Sequence, residues 1–144
     1  MPERTEKEIY QIIWLIRRLF RAFAQKSAEN LETFGISVAD RAVMEFLYPE
    51  KKLSVPEIAK QYHVSRQHVQ ATVNSLLNQE LVLSLENPRH KRSPHIMLNE
   101  NGRMLFESVL RKDEETIKVL FSHLEKNDVH ITLKTLQSLL AKLN

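Results

Sequence analysis

Ser54–Leu98 reads SVPEIAKQYHVSRQHVQATVNSLLNQELVLSLENPRHKRSPHIML, and its punctuation decides the fold. Ser54 is a helix cap, Glu57 three residues later completes a capping box, and Pro56 is tolerated in a first turn. The spacing predicts a brief helix over Pro56–Gln61 with Ile58 and Ala59 inward, broken at Tyr62-His63-Val64. Ser65 caps a second helix that runs to Gln79, with Val69, Val73, Leu76 and Leu77 on its inner face. Two steeply crossed helices need a small residue where they touch, which Ala59 supplies, and Val64 plugs the turn. His63 stands where such turns favour glycine, and histidine tolerates positive φ better than most residues.

Beyond that helix, Leu81, Leu83 and Leu85 fall on one side of an alternating segment, with Ser84 and Glu86 on the other. Ile96 and Leu98 make its return strand. The loop between, Asn87-Pro88-Arg89-His90-Lys91-Arg92-Ser93-Pro94-His95, holds three firm positive charges and no acid. Two short helices and a basic-tipped hairpin make a winged helix-turn-helix, which lays its second helix in a DNA major groove. The outer face of that helix presents Arg66, Gln67, Gln70, Ala71 and Asn74, with His68 at its edge. It carries amides and a guanidinium, the groups that pair bidentately with base edges, and no carboxylate. The basic loop sits where a phosphate or minor-groove contact is expected.

The flanks are helical. Ile9, Ile13, Ile16, Phe20 and Phe23 step by four and three along a helix over Glu6–Glu32, widened by Ile12, Trp14, Leu15 and Leu19, and Gly35 stops it. So broad an apolar surface must be covered on more than one side, by its own chain or by a partner subunit. A second helix, Val38–Tyr48, has Ser37 as cap, Asp40 in its first turn and Pro49 as its end. After the hairpin, Asn99 caps a long helix, and Gly102 falls in its first turn. Leu105, Val109, Leu110, Ile117, Leu120, Phe121 and Leu124 form its apolar face, and Glu125-Lys126-Asn127-Asp128 breaks it. Val129, Leu133, Leu136, Leu140 and Leu143 mark a last helix. The expected fold is mainly α, in the order α-α-β-α-α-β-wing-β-α-α. Residues 1–36 form an N-terminal dimerisation helix, 37–98 a winged lobe and 99–144 C-terminal dimerisation helices. The terminal helices carry more apolar surface than a small winged lobe can cover, so an obligate dimer is the economical expectation.

Composition narrows the classes. The chain has 144 residues, 42% hydrophobic, enough for a core, and only two glycines, which argues against a turn-rich all-β fold. Lacking cysteine, it has no disulfide, thiolate metal site or thiol switch. A net charge of +3 says less about partners than where the charges sit. Arg17, Arg18 and Arg21 interrupt the most apolar run, so no segment is expected to span a membrane, and no targeting segment is expected. There is no His-Glu-x-x-His and no Gly-rich phosphate loop, so an enzyme is not expected and no cofactor is implied. His123 and His130 straddle a helix junction near Glu125 and Asp128, and the preferred reading is surface histidines and no metal.

Across nearly its whole length the sequence resembles the MarR family of bacterial transcription regulators. Relatives carry Asp-Pro-x-Asp-x-Arg in the wing and Leu-Thr-x-x-Gly after it. Here these read Asn87-Pro88-Arg89-His90-Lys91-Arg92 and Leu98-Asn99-Glu100-Asn101-Gly102. Asn87 and His90 stand where the family has carboxylates, Ala71 where its reading helix is basic, and Glu80 where a glycine precedes the strand. The resemblance implies a cytoplasmic homodimer on a pseudo-palindromic double-stranded DNA operator. It also implies a repressor released by a small amphipathic effector, whose binding residues are unassigned. The expected DNA-contacting set is Ser65, Arg66, Gln67, His68, Gln70, Thr72, Asn74, Arg89, Lys91 and Arg92, with Arg92 probing the minor groove. The alternative is a winged-helix protein-interaction module without specific DNA binding.

Overall fold

A computed structural model of the chain describes residues 2–144. Six helices and three short strands follow the expected order. They are α1 (Pro2–Leu31), α2 (Val38–Leu47), β1 (Leu53–Ser54), α3 (Val55–Tyr62), α4 (Arg66–Asn78), β2 (Val82–Leu85), β3 (His95–Leu98), α5 (Glu100–Phe121) and α6 (Lys126–Leu143). The strands form one antiparallel sheet in the order β1-β3-β2. The chain divides into two compact units, Met1–Leu110 and Arg111–Asn144.

Local signals account for most boundaries. α1 begins earlier than the apolar stripe and tightens into a 3-10 turn over Glu32–Phe34, after which Gly35 takes φ +69° and ends it. At the start of α2 the Ser37 hydroxyl accepts the Asp40 N–H at 3.0 Å, and the Asp40 carboxylate accepts the Ser37 N–H at 3.2 Å. At α3 the expected capping box is altered. Ser54 Oγ still accepts the Glu57 N–H at 3.4 Å, but the Glu57 carboxylate accepts the Ser54 hydroxyl at 3.0 Å instead of the Ser54 N–H. Ser54 is also the last residue of β1, opposite His95, which sets its backbone against a strand.

The core of the first unit gathers Leu31 of α1, Val43, Met44 and Leu47 of α2, and Ile58 and Ala59 of α3. Val69, Val73 and Leu76 of α4 complete its centre, with Leu81, Val82, Ile96 and Leu98 on the hairpin side and Phe106 and Val109 of α5. Phe106 lies 5.0 Å from the Tyr48 ring, centroid to centroid. Val64 packs against this core, as the turn plug should.

Three expectations change. Leu77 lies on the exposed side of α4, since the inner stripe is completed by Thr72 and Leu76. The leucines of the hairpin do not share one environment: Leu81 and Val82 are buried, Leu83 is exposed and Leu85 is half-buried. The reason is that Leu81 closes α4, its N–H donating to the Leu76 carbonyl at 3.0 Å, so the strand starts one residue later. Val82 then pairs with Leu98 and is buried, while further along the strand Ser84 is exposed and Leu85 half-buried. Last, the break between the two final helices lies at residues 122–125, and Lys126–Asp128 already form the first turn of α6.

Gly102 proves more constrained than a first-turn glycine. A Cβ there would collide with the carbonyl oxygen of Leu81 and crowd Leu98. Asn99 ties the same corner together: its N–H donates to that carbonyl at 3.1 Å, and its Oδ1 accepts the Gly102 N–H at 2.8 Å.

Outside this core, apolar side chains stand in the open. On α1 these are Ile9, Ile13, Trp14, Ile16, Leu19 and Phe20, and in the second unit Ile117, Leu120, Leu124, Leu133, Leu136 and Leu140. α6 buries none of its residues within the chain.

Candidate nucleic-acid interface

α4 is pinned at both ends. At its start, His63 takes φ +60°, the Val64 N–H donates to the Ala59 carbonyl at 3.2 Å, and Ser65 Oγ accepts the His68 N–H at 3.0 Å. At its end, Gln79 Nε2 donates to the buried Asp40 carboxylate at 3.1 Å, which fastens α4 to the first turn of α2. Glu80 takes φ +56° and turns the chain into the hairpin, where its carbonyl accepts Asn99 Nδ2 at 2.7 Å. Rigid support of this kind lets a short helix present side chains in fixed register.

The outward face of α4 carries Arg66, Gln67, His68, Gln70, Ala71 and Asn74, all exposed. Ser65 serves as cap. Thr72 faces inward, is buried, and gives its hydroxyl to the His68 carbonyl at 3.2 Å, one helical turn back. It therefore belongs to the packed side of the helix and contributes no outward group. Gln70 Nε2 donates to Asn74 Oδ1 at 2.9 Å on the exposed side.

The wing is shaped by Asn87. Its buried side chain donates from Nδ2 to the Ser93 carbonyl at 2.9 Å and accepts the Arg89 N–H on Oδ1 at 3.2 Å. The backbone adds His90 N–H to the Asn87 carbonyl at 3.1 Å and Ser93 N–H to the His90 carbonyl at 3.0 Å. The loop is thus closed across its base, while Arg89, His90, Lys91 and Arg92 remain exposed. An amide does this work without adding negative charge to a cationic tip. At the foot of the wing His95 Nε2 lies 3.9 Å from the Glu57 carboxylate.

A cleft of about 280 Å³ separates the wing from α4. Val55 and Pro56 of α3 form its floor, Arg66, Gln67 and Gln70 one wall, and Arg92, Ser93 and Pro94 the other. Four residues expected to contact DNA thereby converge on one feature. Its lining carries two guanidinium groups and no carboxylate. Arg89 and Lys91 stand further out on the tip, and His68 and Asn74 lie on the helix outside the lining. Among the described residues no three His, Asp or Glu side chains group as metal ligands. No helix among them is long and apolar enough to cross a membrane.

A family model described as MarR family matches residues 34–93, from the turn after α1 through the wing. Over those residues the chain carries a MarR-family winged helix-turn-helix. Its similarity extends beyond the matched segment. It is 25% identical over 127 residues to the HTH-type transcriptional repressor MdtR of Bacillus subtilis, covering 85% of this chain and 82% of MdtR. The transcriptional regulator BldR of Sulfolobus solfataricus superposes with a TM-score of 0.84 at 18% identity, over 94% of this chain and 96% of BldR. The S. aureus MepR–DNA complex superposes with a TM-score of 0.77 at 22% identity, over 91% of this chain and 96% of MepR. These relatives are regulators, and the MarR-type winged helix is the fold that they share with this chain.

Two supports of this site, Asn87 and the Asp40–Gln79 link, leave little trace in the sequence. Asn87 was visible only as a departure from a motif, although Asn before Pro is a turn signal with its own hydrogen-bonding capacity. The Asp40–Gln79 link joins residues far apart in the chain and leaves no local signature.

Proposed function

We propose that the chain is a homodimeric, sequence-specific DNA-binding repressor, with α4 as base reader and the wing as its phosphate and minor-groove clamp. The convergence of Arg66, Gln67 and Gln70 with Arg92 around one acid-free cleft carries this reading. A helix in the major groove and a wing in the adjacent minor groove must have a sugar-phosphate strand between them, and the cleft is where that strand lies. Arg66 and Arg92 neutralise its phosphates, Gln67 and Gln70 meet base edges with Asn74 beside them, and Arg89 and Lys91 reach the flanking backbone. Ser65 and His68 act at the start of the helix, where N–H groups favour phosphate. Two such helices, about 34 Å apart in a dimer, meet successive major grooves of a pseudo-palindrome.

The exposed apolar stripes of α1, α5 and α6 support the homodimer. Residues 1–36 and 99–144 supply that surface and 37–98 the DNA lobe, with α1 and α5 serving both, since Leu31, Phe106 and Val109 lie in the lobe's core. MdtR, named a repressor, favours repression. The resemblance adds a small amphipathic effector bound between dimer region and lobe that changes lobe spacing and releases DNA, in the cytoplasm.

Selection of genomic fragments with the purified protein, followed by titration at several salt concentrations, tests the reading. An enriched pseudo-palindrome is expected, with affinity falling steeply as salt rises. Arg92→Ala should weaken all duplexes alike and reduce the salt slope by about one. Failure to retain any genomic duplex at low salt would instead assign the lobe to protein contacts.

A further inference from the structure

Two of the outward amides are not independent. Gln70 Nε2 gives one hydrogen to Asn74 Oδ1 at 2.9 Å. Gln70 lines the cleft beside Arg66, Gln67 and Arg92, while Asn74 stands one turn behind it. An unrestrained glutamine amide presents its oxygen and nitrogen in either order. With one N–H committed to Asn74, the orientation is set: the carbonyl oxygen and the remaining N–H form an acceptor–donor edge pointing away from Asn74.

We propose that Gln70 and Asn74 form one reading unit, in which Asn74 is a positioning residue that fixes the Gln70 amide to select adenine in each half-site. Adenine offers an N6–H donor and an N7 acceptor in the major groove, which the acceptor–donor edge of Gln70 matches in two hydrogen bonds. Guanine offers two acceptors, O6 and N7, and would set the Gln70 oxygen against one of them. The surroundings favour the pairing. Val73 and Thr72 turn into the core, Ala71 is too short to interfere, and no other outward side chain of α4 is an acid that would draw the Gln70 N–H away. The unit rests on the DNA-reading assignment of α4 and adds a division of roles within it.

The test uses the full chain and the duplex enriched by wild-type protein, with each A·T pair of one half-site changed in turn to G·C. Gln70→Ala should erase adenine preference at one base pair, a change of about tenfold or more. Asn74→Ala should lower preference at that same base pair by about three- to tenfold, because the amide is released and one N–H loses its partner. The double variant should lose no more than Gln70→Ala alone. Asn74→Asp keeps an oxygen acceptor for Gln70, so it should preserve the base preference while weakening all duplexes through phosphate repulsion. Both positions are exposed, and circular dichroism of each variant checks the fold. Asn74→Ala acting at a different base pair, or additive losses, would overturn the unit and leave the DNA-reading assignment standing. Wild-type protein that enriches no duplex would overturn both.

Discussion

α4 and α6 are both amphipathic helices, of 13 and 18 residues, and the chain treats them in opposite ways. On α4, Val69, Val73 and Leu76 are at most 1% exposed, packed under α2, α3 and the sheet. On α6, Leu133, Leu136 and Leu140 recur at the same kind of spacing and are 53%, 40% and 59% exposed. One stripe is satisfied by its own chain and the other is not. An isolated helix of this length is marginal in water, so α6 needs packing from somewhere. The contrast separates a lobe whose order is internal from helices whose apolar stripe the chain leaves open. It also explains why one amphipathic pattern supports two different readings.

The sharpest way to break that comparison is to charge the open stripe. Leu136→Glu combined with Leu140→Glu should abolish self-association, raising the dissociation constant about a hundredfold or more. Each buried leucine is worth about 1.5–3 kcal/mol, and two carboxylates would have to be desolvated. Sedimentation at several concentrations checks this, and a variant that stays as associated as wild type would show that the stripe is covered in another way. The complementary test is Phe106→Ala in the lobe, where the ring is 1% exposed. It should cost about 3–5 kcal/mol in denaturant unfolding, as large-to-small changes in packed cores do. A loss below about 1 kcal/mol would remove α5 from the lobe's core.

Much of the lobe was legible because its signals are local. Ser37, Ser54 and Ser65 all cap the helices they precede, Ala59 is buried and Val64 packs against the core, and His63 takes the positive φ that its position implied. The acid-free outer face of α4 and the basic wing were visible as composition. The missed features depend on neighbours remote in sequence. Leu83 was grouped on one side of a strand with Leu81, which closes a helix instead. Thr72 looked available, yet it completes a buried stripe that Leu77 had been expected to fill. That Arg92 and Gln70 share one cleft follows from the fold and from no motif.

Gly102 sharpens the comparison at a junction, where the start of α5 presses on the end of α4. Gly102→Ala places a Cβ against the Leu81 carbonyl, which cannot retreat without disturbing its bond from Asn99. A loss of about 1–3 kcal/mol is expected, the usual cost of overpacking. Thermal unfolding measures it, and an unchanged midpoint would mean that the corner is looser than its hydrogen bonds indicate.

The smallest effect lies at the other side of that corner. Glu80 holds φ +56° with a side chain that is exposed, while its backbone N–H donates to Leu77 and its carbonyl accepts Asn99. Left-handed backbone costs a non-glycine residue about 1–2 kcal/mol. Glu80→Gly removes that cost and keeps both backbone hydrogen bonds, but it also loosens the unfolded chain by about 0.4–1 kcal/mol. The net expectation is a gain of about 0.5 kcal/mol. Glu80→Ala, which retains a Cβ, should give none of it. If both substitutions raise stability equally in urea unfolding, the relief comes from losing the carboxylate and the backbone at residue 80 is not strained.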